Sequence, residues 1–184
     1  MLEVALAAKH SAPTAELVWT GPVTAAVPRR GTEQVLFDMI ECTSRRLTIM
    51  SFGVFKVPRL IKALEEALAR GVQLRVVLGD RESQGNLEID HQRHELGSVV
   101  TARALLLYWS PQRRIRNENG HAGLMHAKAA VADSCIAFLT SANLTEAAFE
   151  RNMELGVLIR GGNLPSSIDR LIDALTDSGE LQPV

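Results

Sequence analysis

The sequence predicts an α/β fold, a sandwich of helices around a central sheet. Strand-like and helix-like segments alternate from residue 32 onward, and most are closed by Gly, Pro or Asp. The composition, 46% hydrophobic and 22% charged, is that of a soluble globular chain. At 184 residues the chain is long enough for one domain. A domain of that size buries roughly 70% of its unfolded surface without a disulfide or metal staple.

The elements follow in order. Residues 1–31 are rich in Ala, Pro and Thr and hold no sustained period, so they read as an irregular N-terminal arm with a short strand around Leu17–Trp19. The domain proper spans 32–184. Thr32 suits a helix cap, and Leu36, Met39, Ile40 and Thr43 follow at helical spacing. "RLTIMSF" is a strand closed by Gly53, and Pro58 fits the first turn of the next helix. Leu60, Ile61, Leu64 and Leu68 form that helix's apolar stripe, which Gly71 ends; "VQLRVVLGD" is the following strand. Residues 85–97 read as a helix, "VVTARALLLYW" as a strand, and Ser110 to Gly123 as a polar loop. "HAKAAVAD" and "CIAFLTSA" are two strands joined by a tight turn at Asp133-Ser134. "NLTEAAFE" is a short helix, "MELGVLIR" a strand, and Ile168, Leu171, Ile172 and Leu175 mark a last helix. No internal repeat is visible.

Composition also narrows the function. A net charge of −1 gives no global attraction to a polyanion, so any such site must come from local basic clusters. Three exist: Arg29-Arg30, Arg45-Arg46, and "RRIR" with Arg113, Arg114 and Arg116. Cys42 and Cys135 form neither a disulfide framework nor a metal spacing, which fits a reducing compartment. No run approaches the roughly 18 apolar residues of a membrane span, and "MLEVALAAKH" lacks the basic start of a signal peptide. The expectation is a cytoplasmic protein with no membrane partner, no cofactor and no metal.

The chemistry concentrates at residues 126–154. On a strand, His126 and Lys128 point the same way about 7 Å apart, beside the small Ala130 and Ala132. A hairpin turn at 133–134 returns Ser141 and Asn143 level with His126, and Asn143 begins a helix whose N-terminus favours an anion. Glu154 opens the next strand within reach of the same rim. An imidazole, an ammonium, an amide and a carboxylate at one rim suit phosphodiester cleavage. The imidazole attacks phosphorus, the donors neutralise the equatorial oxygens, and the carboxylate fixes the imidazole tautomer. In-line displacement needs an acid on the opposite side, so a second imidazole is required. Taken singly, each residue has a plainer role: Asn143-Leu-Thr-Glu146 is a capping-box pattern and Asp133 belongs to the turn.

His126-x-Lys128, Asp133, and then Ser141-x-Asn143 resemble the HKD motif of the phospholipase D superfamily, and "RNMELGVLI" resembles the segment that follows it in the superfamily's bacterial nucleases. The resemblance covers roughly Thr32 to Leu175 and implies an α-β-α sandwich with a central mixed sheet and one half-site per chain. It implies His126 as nucleophile or acid, Lys128 and Asn143 as phosphate ligands with Ser141 beside them, Glu154 as the histidine's partner and Asp133 as structural. The family usually has Gly before the Ser, where this chain has Thr140. His91, His94 and His121 offer no second H-x-K, so the resemblance implies a homodimer with the two His126 facing across one phosphate. More narrowly, "RRGTEQVLFDMIECTSRRLTIMSFGVFKVPRL" and "SANLTEAAFERNMELGVLIRGG" are similar to the DrmC group of phospholipase-D-like proteins in the DISARM phage-defence system.

The leading expectation is thus a metal-independent phosphodiesterase (a hydrolase acting on ester bonds) that cleaves nucleic acid, DNA in preference to RNA, through a phosphohistidine. Arg113, Arg114 and Arg116, just before the motif, are the expected backbone contacts. The alternative is a non-catalytic or conditionally active DNA-binding subunit working with other defence subunits. A phospholipid phosphodiesterase ranks third, because no helix carries an extra apolar face for a membrane.

Overall fold

The computed structural model describes residues 12–22, 29–54, 57–80 and 86–184. Within them the chain runs β1 (Thr14–Thr20), α1 (Thr32–Cys42), β2 (Arg46–Ser51), α2 (Pro58–Ala69), β3 (Gln73–Leu78), α3 (Asn86–Leu96), α4 (Ser98–Arg103) and β4 (Leu105–Trp109). It continues through a 3₁₀ turn at Pro111–Arg113 to β5 (Ala129–Ala132), β6 (Ile136–Thr140), α5 (Glu146–Glu150), β7 (Glu154–Arg160), α6 (Leu164–Asp177) and β8 (Leu181–Pro183). The strands form one mixed sheet in the order β1-β7-β6-β5-β2-β3-β4-β8. β2, β3 and β4 run parallel, with helices as their crossovers; every other pairing is antiparallel.

Strand alternation sorts the core into two faces. Leu47, Ile49, Val76, Leu78 and Leu106 pack on one side with Leu36, Met39 and Ile40 of α1 and Leu60 and Leu64 of α2. Met50, Val77, Leu107 and Trp109 face the other way, toward Ile172 and Leu175 of α6. That second layer is partly polar. Arg75 of β3, buried, ion-pairs with Asp169 at 3.1 Å and with Asp173. The Thr48 hydroxyl donates to Asp169 (2.8 Å) and accepts from Arg75. Each buried charge therefore has a partner, as burial demands.

Two expectations need correction and two gain detail. Gly31, not Thr32, is the cap of α1, and the Thr32 hydroxyl is buried in the first turn without a hydrogen-bond partner. "VVTARALLLYW" is not one strand: Gly97 at φ +81° starts α4, and only Leu105–Trp109 is extended. Burial of Val100 and the bond from Arg103 to the Leu68 carbonyl (2.7 Å) outweigh the β preference of the valines. Leu171 lies on the exposed side of α6, whose buried positions are Pro165, Asp169 and Ile172. Finally, the strand near Leu17–Trp19 extends over Thr14–Thr20 and pairs along its whole length with β7. Residues 1–11 and 23–28 of the arm, and residue 85 of the expected third helix, lie outside the described residues.

Candidate active site

The C-terminal ends of β2, β3 and β4 share one edge of the sheet with the start of β5, the end of β6 and the start of β7. Open α/β sheets bind ligands outside the carboxyl ends of their parallel strands. Gly79, just past β3, makes the crossing possible. A Cβ there would lie 2.7 Å from the Met125 carbonyl and 2.8 Å from the Phe52 Cα. Gln92 of α3 braces the same point by donating to the Gly79 carbonyl at 2.6 Å.

His126 and Lys128 precede the regular part of β5, which starts at Ala129, three residues later than the expected start at His126. The Thr140 amide still donates to the Lys128 carbonyl, so Lys128 keeps strand direction. Lys128 Nζ lies 3.3 Å from His126 Nδ1 and donates to the His126 carbonyl at 3.0 Å. The Phe52 ring backs both: its centroid is 5.1 Å from that of the imidazole and 5.8 Å from Nζ. His126 itself is exposed. Burial lowers the Lys128 pKa below that of a solvated lysine, and the negative charge of Glu154 partly restores it.

Glu154, at the start of β7, is 8% exposed. Ser141 Oγ donates to one carboxylate oxygen and Asn152 Nδ2 to the other at 3.0 Å. The Ser141 hydroxyl also accepts from the Leu155 amide at 3.2 Å. Its single proton is given to Glu154, so Ser141 supports the carboxylate rather than donating to a phosphate. Among the described residues no hydrogen bond joins Glu154 to His126; Lys128 stands at Nδ1 instead.

Asn143 does not begin a helix. α5 starts at Glu146, its cap is Thr145, whose hydroxyl accepts from the Ala148 amide at 3.1 Å, and its five residues are too few for the dipole-end anion site expected here. Released from capping, Asn143 sits in a loop pinned by the Leu144 amide to Ser51 Oγ and to the Gly53 carbonyl, both at 3.2 Å. Its side-chain oxygen is buried with no hydrogen-bond partner. At the position where the family usually has Gly, the Thr140 hydroxyl accepts from the Ala142 amide at 3.1 Å, shaping the loop by its own side chain.

Asp133 stands at the far end of the hairpin. It adopts φ +51° and Ser134 φ +56°, a conformation that ordinary side chains disfavour. Its carboxylate accepts from the amides of Ser44, Arg45 and Arg46 and from the Ser44 hydroxyl. Burial would raise its pKa, yet these hydrogen bonds prevail and hold it below the usual aspartate value. Of the three loop arginines, Arg113 and Arg116 are exposed. Arg114 is not a surface contact: it is buried, ion-paired to Asp80 and bonded to the Trp109 carbonyl at 2.8 Å.

Sequence reading missed Ser51, Phe52, Gly79, Gln92 and Asn152. Each acts through a neighbour and has no motif of its own; the proximity of Asn152 to Glu154 in "RNMELG" was the one visible signal. Among the described residues no group of three His, Cys, Asp or Glu could hold a metal ion.

Comparison with curated proteins finds no match. Among solved structures, Nuc from Salmonella typhimurium, a phospholipase D family member, superposes with TM-score 0.65 at 18% identity, covering 94% of this chain and 99% of that one. NucT from Helicobacter pylori gives TM-score 0.66 at 18% identity, covering 94% and 100%. The phosphatidylserine synthase of Haemophilus influenzae Rd KW20 gives 0.62 at 16%, covering 94% of this chain and 40% of that one. These likenesses establish the fold. The family described as cardiolipin synthase, PLD-like domain, matches residues 36–176, which span the hairpin and its supports. The chain therefore belongs to the phospholipase D-like family.

Proposed function

We propose that the protein is a metal-independent phosphodiesterase of the HKD type that cleaves nucleic acid, DNA in preference to RNA, in an anti-phage setting. The observation that carries this reading is the convergence of His126, Lys128 and Glu154 at one sheet edge. Lysine and amide donors neutralise the phosphate oxygens. One imidazole attacks phosphorus through its free nitrogen, forming a P–N bond as the P–O bond to the leaving nucleoside breaks. A second imidazole protonates the departing oxygen. Water then attacks the phosphohistidine, releasing the imidazole and a terminal phosphate.

An ammonium can only donate, so Nδ1 of His126 accepts from Lys128 and the ring proton sits on Nε2. The general acid needs the imidazolium instead, so the Lys128 contact at Nδ1 is given up when that ring takes its second proton. The nucleophile needs the other tautomer, with Nδ1–H given to a carboxylate such as Glu154. Two copies of the chain across a two-fold axis supply both roles. An exposed apolar row supports such pairing: Leu139 of β6 pairs with Val157 of β7, which pairs with Leu17 of β1, and Leu155 lies beside them.

The test is incubation with end-labelled DNA and RNA in excess EDTA, beside His126→Ala. Wild-type cleavage lost in the variant is the expected result; a strict magnesium requirement overturns the reading. One observation favours a binding subunit instead: Glu154 is engaged by Ser141 and Asn152 rather than by His126. Tight, salt-sensitive DNA binding with no cleavage would select it.

A further inference from the structure

The loop before the motif strand presents an apolar side chain between two cations. Ile115 is 80% exposed and Leu124 is 42% exposed. A lone exposed aliphatic side chain is ordinary on a protein surface. This one is held out by a braced hairpin. The Gly123 amide donates to the Ile115 carbonyl and the Asn117 amide to the His121 carbonyl, at 2.9 and 3.0 Å. Asn117 Oδ1 accepts from the amides of Asn119 and His121, and Arg116 bonds the Gly120 carbonyl at 2.7 Å. Arg114, next to Ile115 in sequence, anchors the base through Asp80 and the Trp109 carbonyl. Chain direction thus sends Arg114 inward and Ile115 outward, between exposed Arg113 and Arg116.

We infer that Ile115 is a wedge for double-stranded nucleic acid, inserting at a base step while Arg113 and Arg116 hold the flanking phosphates. The inference rests on the nucleic-acid reading above. Gly123 precedes His126 by three residues, so their Cα atoms are at most about 11 Å apart. Ile115, bonded to Gly123 across a further distance of about 5 Å, therefore reaches a step within about five base pairs of the scissile phosphate, at about 3.4 Å per step. An aliphatic residue flanked by basic ones is the type that unstacks a base step and kinks the duplex. It has no π-face, so it is not a stacking platform for a single strand. Kinking would turn the adjacent phosphodiester toward the rim.

The test uses the His126→Ala protein, which binds without cutting, and a short duplex carrying 2-aminopurine at every fourth position. With Ile115 present, binding raises 2-aminopurine fluorescence severalfold. Ile115→Met keeps the rise and Ile115→Ala abolishes it, while anisotropy still reports binding of both at low salt. An equal rise with Ile115→Ala, or no rise with any variant despite binding, overturns the wedge and leaves the nucleic-acid reading standing. A change of oligomeric mass on Ile115→Ala also overturns it, by assigning the side chain to self-association. Absence of any binding by wild-type or variant protein ends both proposals.

Discussion

Thr140 shows how a single residue can shape a loop through its own side chain. Its hydroxyl accepts from the amide of Ala142, a buried residue. Thr140→Ser should keep phosphodiesterase activity within about twofold. Thr140→Val should lower it roughly tenfold, the loss of one hydrogen bond of about 1 kcal/mol plus a looser Asn143. Steady-state kinetics on an oligonucleotide distinguish them, and equal rates for both variants would remove the hydroxyl from the argument. At this scale the sequence was legible in its spacings: His126 meets Lys128, and Ser141 meets Glu154. It misassigned roles that depend on a partner. The Ser141 proton goes to Glu154, and the cap of α5 is Thr145. Such choices depend on which neighbour arrives first in space, and one-dimensional spacing does not contain it.

Among the elements, the β5–β6 hairpin joins the chemistry at one end to Asp133 at the other. The folded-state pKa of Asp133 is depressed, so its contribution to stability is fully present above the unfolded value near 3.9 and is lost as pH falls below it. Asp133→Asn should lower the melting temperature by roughly 5 °C at pH 7, from about 2 kcal/mol of lost hydrogen bonding. The gap between the two proteins should narrow as the melt is repeated from about pH 5 downward, and close only once pH has passed below the depressed folded-state value. A gap that stays constant with pH would show that the carboxylate charge is irrelevant there. The turn itself was readable from Asp-Ser between two apolar runs. Its grip on residues 44–46, nearly ninety positions away in sequence, was not.

For the whole molecule, the mixed sheet and the alternation of helices and strands followed from periodicity and from the family pattern. The buried Arg114–Asp80 pair did not, because "RRIR" reads as a uniform basic cluster until burial separates its members. Asp80→Ala strands a buried guanidinium and should cost about 3–5 kcal/mol, lowering the melting temperature by about 10 °C. Asp80→Leu combined with Arg114→Met should recover most of it; a double variant no more stable than the single one would refute the pairing argument. Oligomeric state belongs here as well. Sedimentation of the wild type should give twice the chain mass, and Leu155→Glu with Val157→Glu should give the chain mass and abolish cleavage. A monomeric wild type that still cleaves would require a second acid from within the chain.

The clasp at Asp133 bears on how such proteins are recognised. Under the proposed function two letters of the motif handle phosphate, whereas the third holds a turn at the opposite end of a hairpin. The two tasks are physically separate. A descendant that gave up catalysis would be free to lose His126 but would still need Asp133 to fold. An aspartate surviving at this position in a diverged sequence is therefore evidence of shared architecture, and only the histidine and lysine testify to shared chemistry.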